Sequence, residues 1–241
     1  MKSPKKFLGV PFLSALVLMN AACGMLSTMG DGVLSTVTRS ESPFQSVVLA
    51  GTGTVTLAYS TNQSVSINAE DNLIPLITTS VDNGALTISE NNIWATKPIH
   101  YTVAVASLSA VTLAGSGNIV FQNTFTNGDI SVNLTGSGGV TANVQATSFE
   151  ILLSGSGNVT ANGAAASEKL TITGSGSANL SGISATNGTV SIMGSGGCKA
   201  WISGNAAISI SGSGSVSLIS SPSNLTQTIL GSGTVSVASG K

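Results

Sequence analysis

Catalysis needs nucleophiles, acids and bases, or metal ligands held close together, and this chain of 241 residues supplies few of them. It has one histidine, His100, and two cysteines, Cys23 and Cys198. Its nine acids are Asp31, Glu41, Glu70, Asp71, Asp82, Glu90, Asp129, Glu150 and Glu168. Glycoside hydrolysis uses two carboxyl groups at a set separation. Glu150 and Glu168 are the pair whose spacing invites that reading, and they are too isolated to make an enzyme the expectation. Glu70-Asp71 precedes an apolar run, where it could contribute to a calcium site or cap a helical turn; a solvated turn is the simpler expectation. His100, between Ile99 and Tyr101, reads as scaffold at the start of a strand. Seven copies of Gly-Ser-Gly suggest a phosphate loop, but no Gly-Lys-Ser or Gly-Lys-Thr follows and no helix is signalled. No catalytic residue, cofactor site or metal site is expected, and no basic surface for nucleic acid is present.

Binding is more plausible than catalysis. Only ten Trp, Tyr and Phe residues occur, and exposed rings are what sugar-binding surfaces use. Trp201 shares strand parity with Lys199, pointing both outward, and Trp94 lies in the polar stretch Asn91-Asn92-Ile93-Trp94-Ala95-Thr96. Trp94, Trp201 and Lys199 are therefore the candidate ligand or partner contacts. The alternative is that each ring covers a local hydrophobic seam.

The elements that position these residues are written in the repeats. Between Gly115 and Gly233 the Gly-Ser-Gly copies follow one another at 21, 19, 19, 20, 18 and 19 residues, the mark of a stacked supersecondary unit. Two residues before each copy stand Leu113, Leu134, Leu153, Ile172, Ile192, Ile210 and Ile229. Two residues after come Ile119, Val140, Val159, Ala178, Cys198, Val216 and Val235, and polar residues alternate with them. Period-two alternation is a strand with one buried face. The expected fold is all-β, a parallel β-helix or solenoid of about eight coils with a period of about 19 residues, the earliest coil being the one around Gly51-Thr52-Gly53. An antiparallel meander or sandwich is the runner-up, because Gly-Ser-Gly also closes hairpins, as do Asn127-Gly128, Asn162-Gly163 and Asn187-Gly188. Cys198 lies in an apolar column and reads as a small buried filler.

Charged residues make up only 7% of the chain, against 41% hydrophobic. Low charge with much Ser, Thr and Asn can signal disorder, so the regular aliphatic columns are what argue for a folded rod. At the amino terminus Lys2, Lys5 and Lys6 precede an apolar run from Phe7 to Met19 and the small residues Ala21, Ala22, Cys23 and Gly24. Residues 1–22 read as an export signal, too short in its apolar run to span a membrane well. Cys23 stands where a bacterial lipoprotein carries its lipid, although Asn20 occupies a place usually held by Leu; ordinary cleavage after Ala22 or Gly24 is the alternative. Residues 23–43 then read as a flexible tether holding the rod off the membrane.

Several segments together resemble a bacterial family described as putative auto-transporter adhesin, head GIN domain. They are Thr38-Arg39, Phe44-Gln45-Ser46-Val47-Val48-Leu49 with Gly51-Thr52-Gly53, Glu70-Asp71-Asn72-Leu73-Ile74-Pro75-Leu76, Asn83-Gly84-Ala85-Leu86-Thr87-Ile88, and Leu108 to Ile119. The resemblance covers roughly residues 38–237 and implies an exported, envelope-associated, β-rich protein with an adhesive or structural role and no catalytic residues to carry over. The expected organisation is one β-solenoid domain over 44–241, with a less regular capping part at 44–108 and regular repeats at 109–237. The expected function is a non-enzymatic adhesin or structural rod of the cell envelope presenting Ser, Thr and Asn; the alternative is a glycan- or small-ligand-binding module. Expected partners are the membrane, through a lipid on Cys23, a host-surface or envelope glycan or protein, and a second copy of the chain. The end from Val235 to Lys241 shows no cap, which suggests fraying or a partner.

Overall fold

The computed structural model describes residues 27–238. The export signal expected at 1–22 and the lipidation candidate Cys23 lie outside the described residues. The amino-terminal part contains β1 (Thr28–Met29), β2 (Leu34–Arg39), β3 (Ser46–Ala50), β4 (Thr54–Tyr59), β5 (Ser64–Glu70), β6 (Ile77–Asp82), β7 (Ala85–Glu90), β8 (Ile93–Trp94) and β9 (His100–Val105). The repeats form β10 (Ala110–Gly115), β11 (Asn118–Phe121), β12 (Phe125–Gly136), β13 (Gly139–Gly155), β14 (Asn158–Gly174), β15 (Ser177–Gly194), β16 (Gly197–Gly212), β17 (Ser215–Leu218), β18 (Asn224–Leu230) and β19 (Thr234–Val237). All except β1 and β8 belong to one sheet of 17 strands wound as a solenoid.

From β10 onward every pairing is parallel, and the aliphatic columns lie in register. Leu113 pairs with Leu134, Leu134 with Leu153, Leu153 with Ile172, Ile172 with Ile192, and Ile192 with Ile210. All six side chains are fully buried. Burying one such side chain is worth about 1.5–3 kcal/mol, and each gains it from neighbouring coils as well as its own, so the coils stabilise one another. The uneven 20- and 18-residue spacings are absorbed by register shifts at Thr160/Asn162, Leu180/Ser184 and Ala185/Asn187, leaving the columns intact.

Glycine is required where the chain turns because the turns themselves stack. The Gly136 carbonyl accepts the N–H groups of Ser156 (3.1 Å) and Gly157 (3.0 Å) in the next coil. Gly155 has φ +126°, and a Cβ there would stand 2.6 Å from the Gly136 oxygen. The stack continues down to Gly51, whose oxygen faces Gly115 in the same way. Beneath Gly51 a carboxylate takes the place of a glycine carbonyl: Glu90 accepts from Thr52 N (3.1 Å), Thr52 Oγ1 (2.8 Å) and the Tyr101 hydroxyl (2.8 Å).

Chain order and stacking order part company at this end. Strand β3 pairs with both β10 and β7, and β4 with both β11 and β9. The coil around Gly51 is therefore earliest in the chain but second in the stack, with the β7/β9 coil beneath it. Among the described residues antiparallel pairing is confined to the cap, where β6 joins β7, β5 joins β9, and β2 joins β5. The hairpin turn there is Asn83-Gly84, with φ of +48° and +74°, a type I′ turn. Asn127-Gly128, Asn162-Gly163 and Asn187-Gly188 lie inside parallel strands instead; at Gly163 a Cβ would meet the Val144 oxygen of the coil below.

The tether expected over 23–43 is corrected from Thr28 onward. Strand β2 pairs along its whole length with β5, and Arg39 donates to the carbonyls of Ile74 (3.2 Å) and Ile77 (2.8 Å) and to Thr79 Oγ1 (2.9 Å). Thr36, Val37 and Thr38 are good strand formers, and an edge of the cap was open to receive them. At the other end no described coil covers β18 and β19, and Leu225 and Ile229 are more than a third exposed.

Candidate functional site

Alternation along each strand that buries the aliphatic columns turns the intervening residues outward, and parallel register stacks these too. Thr171, Ser191, Ser209 and Thr228 form one outward row across four strands. Ser167, Asn187, Asn205 and Asn224 form another. Asn205 donates to Asn187 Oδ1 (2.8 Å), and Asn224 donates to Asn205 Oδ1 (2.9 Å). With strands about 4.8 Å apart, the result is a wall of regularly spaced hydroxyl and amide groups, and the row between these two, Lys169, Thr189, Ala207 and Thr226, carries one charge. A shallow groove of about 210 Å³ runs over Asn187, Asn205 and Asn224. A larger one of about 430 Å³, beside Phe44, Gln63 and Val105, is lined only by neutral residues.

Trp94 and Trp201 both project outward, 68% and 45% exposed, and Lys199 is exposed on the same strand as Trp201. They do not share a site. Trp94 lies in the cap and Trp201 on β16, with several coils between them, on the order of 30 Å along the axis. His100 is exposed at the start of β9 and, among the described residues, joins no group of His, Cys, Asp or Glu that could hold a metal ion.

Glu70 corrects the expectation of a solvated turn: it is buried and gathers the cap around its carboxylate. Gly32 N (2.7 Å), Thr96 N (2.8 Å) and Lys97 N (3.2 Å) donate to it, as does the Thr96 hydroxyl. Burial opposes its ionisation, but the hydrogen bonds from Thr96, Lys97 and Gly32 prevail and hold its pKa below the usual value. Among the described residues no group of three or more His, Cys, Asp or Glu is placed to hold a metal ion.

Glu150 and Glu168 lie on opposite faces of the sheet. Glu150 points outward and pairs with Lys169 on the next coil at 2.7 Å. Glu168 points into the core, between Phe149 and Gly188 in its column, with both carboxylate oxygens buried and unpartnered. Burial pushes its pKa up to about 8. These two carboxyls therefore form no catalytic pair. Cys198 is buried and free, and burial, reinforced by the nearby Glu168, raises its thiol pKa so that it is an inert filler. Sequence reading missed the burial of Glu168, although the column carries the signal: its counterparts are Ile130, Phe149, Gly188 and Ala206, all without charge.

Residues 43–222 match the family model described as "Putative auto-transporter adhesin, head GIN domain". Among solved structures, a "putative adhesin" from Bacteroides fragilis is 19% identical with a TM-score of 0.81, covering 88% of this chain and 100% of its own. A "putative adhesin" from Parabacteroides distasonis is 21% identical with a TM-score of 0.75, covering 88% and 99%. A "Putative lipid binding protein" from the same species is 17% identical with a TM-score of 0.72, covering 88% and 100%. These likenesses establish a shared fold. No curated protein matches the chain.

Proposed function

Because this chain belongs to the family described as "Putative auto-transporter adhesin, head GIN domain", we propose that it is a non-enzymatic adhesive rod of the bacterial envelope, lipid-anchored at Cys23 and gripping a repetitive polar partner. The in-register outward wall supports this reading most directly. Its hydroxyl and amide groups recur at the coil spacing, so a glycan or protein surface with its own repeat meets many weak contacts at once, and avidity grows without any one strong site. With charge on these rows confined to Lys169, which pairs with Glu150, hydrogen bonding is the main means of recognition. Anchoring rests on the basic, apolar and small-residue segments that end at Cys23. No helix among the described residues is long and apolar enough to cross a membrane.

Lysines at two outward positions, Thr171→Lys and Ser209→Lys, leave the core untouched and interrupt the wall. Beads coated with this double variant should lose adherence to glycan arrays and matrix proteins that capture the parent chain; equal capture would overturn the proposal. Intact mass of the membrane-fraction protein should show a diacyl or triacyl addition at Cys23, and an unmodified cysteine would remove the anchor. A second reading, a glycan- or small-ligand-binding module, draws on the exposed Trp201 beside Lys199. It predicts specific sugar binding that Trp201→Ala abolishes and the wall variant retains.

A further inference from the structure

We propose that Met29 and Trp94, with the exposed Val33 and Leu34 a few residues along the chain, seat the cap of the rod on the lipid bilayer from which the chain hangs, an inference that rests on lipidation of Cys23. All four are more than half exposed, an unusual gathering in a chain whose other apolar side chains are mostly buried. Met29 and Trp94 are direct partners in the parallel β1–β8 pair, which stands apart from the main sheet, so their side chains share a face. Ile93 and Ala95, on either side of Trp94, pack against the core and leave the indole outside.

This face is not a fraying end. Thr28 N donates to Asn92 O (2.8 Å), Gly30 N to Trp94 O (2.9 Å), and Asn72 Nδ2 to Met29 O (2.8 Å). Glu70 fastens Gly32 on one side and Thr96 and Lys97 on the other. A rigid holder for four exposed apolar side chains is what a defined surface requires.

Chain length identifies the surface. Only five Cα-to-Cα steps separate Cys23 from Thr28, a reach of at most ~18 Å when fully extended. An acyl chain on Cys23 inserts into the bilayer, so β1 cannot stand farther from it than that. Trp favours the bilayer interface, with its ring among the acyl ends and its N–H toward the headgroups. Asp31 lies between Met29 and Val33, Asp71 N donates to Val33 O, and the exposed Lys97 lies three residues beyond Trp94, a mixed set of charges that suits zwitterionic headgroups. A second, weaker contact beside a lipid anchor also fixes the tilt of the rod.

The test uses the two tryptophans as separate reporters. The chain from Cys23 onward is coupled through that thiol to a maleimide phospholipid in phosphatidylcholine vesicles; Cys198 is buried and does not compete. In the Trp201→Phe variant, Trp94 should move to shorter-wavelength emission on tethering, lose quenching by iodide and gain quenching by brominated acyl chains. In the Trp94→Phe variant, Trp201 should stay open to iodide. Unchanged iodide access for Trp94 on tethered vesicles would overturn the proposal and leave the face to a protein or glycan partner. Loss of access at Trp201 in its place would overturn it by reversing the orientation. Because the tether is chemical, this result is independent of the native mass measurement, so failure of the seating face and failure of lipidation are read separately.

Discussion

Replacing Glu168 with glutamine should flatten the dependence of stability on pH between about 4.5 and 8. In the folded chain this carboxyl is sealed between Phe149 and Gly188 with neither oxygen partnered, and its pKa stands at about 8 against 4.5 when unfolded. Below pH 4.5 both states hold the proton, and its contribution to stability is fully present. Above that, the unfolded chain releases a proton that the folded chain keeps, so stability declines by about 1.4 kcal/mol per pH unit until the folded group also ionises. From pH 4.5 to 7 this amounts to about 3 kcal/mol, a large share of the 5–15 kcal/mol that typically holds a domain together. Glutamine keeps the shape and polarity but has no proton to lose. Urea melts of parent and Glu168→Gln chains at half-unit steps from pH 4 to 8.5 isolate the group by difference. The two stabilities should diverge steadily between pH 4.5 and about 8 in favour of glutamine and run parallel outside that range. Parallel curves would show that Glu168 ionises in the folded state as it does in water, and the burial argument would fall.

Three other outcomes follow from the packing. Gly174→Ala places a Cβ 2.6 Å from the Gly155 oxygen at a residue with φ +121°, whereas Gly128→Ala meets nothing within 4 Å; thermal melts should show a loss of about 2 kcal/mol or more for the first and little change for the second. Glu70→Gln removes the charge that three backbone N–H groups and the Thr96 hydroxyl converge on, so limited proteolysis should cut sooner within residues 27–33 while β12–β15 remain intact. The parent chain should show the same weakening as pH falls, because a carboxyl with a lowered pKa contributes stability above its usual value and loses it as pH drops through the folded one. Hydrogen exchange should be fastest in β18 and β19, which pair on one side only, and slowest in β13–β15, which have a coil on each side; uniform protection would mean that a partner covers the end.

The regular coils were legible because a constant period aligns equivalent residues: Leu153, Ile172 and Ile192 fall in one column and are buried there together. The cap was not. At its corner Glu90 replaces a glycine carbonyl, so no Gly-Ser-Gly marks the β7/β9 coil, and nothing local reveals that it slides beneath the β3/β4 coil. Strand β2 reads as a Ser/Thr linker until the free edge of β5, some thirty residues later, is there to pair with it. The outward parity of Trp201 and Lys199 followed from alternation alone. Glu70 and Glu168 look alike in composition, yet one is buried within a net of donors and the other without any. That difference arises from three-dimensional neighbours: N–H groups from two separate loops for Glu70, and an aromatic ring and a bare glycine for Glu168.

The stacked corners also bear on how such molecules diversify. Each corner answers only to its two neighbours in the stack, as Gly155 does to Gly136 on one side and Gly174 on the other. Duplicating or deleting a whole turn re-creates the same junction, while a partial one breaks it. A molecule built this way changes height in steps of about 4.8 Å with its girth held constant.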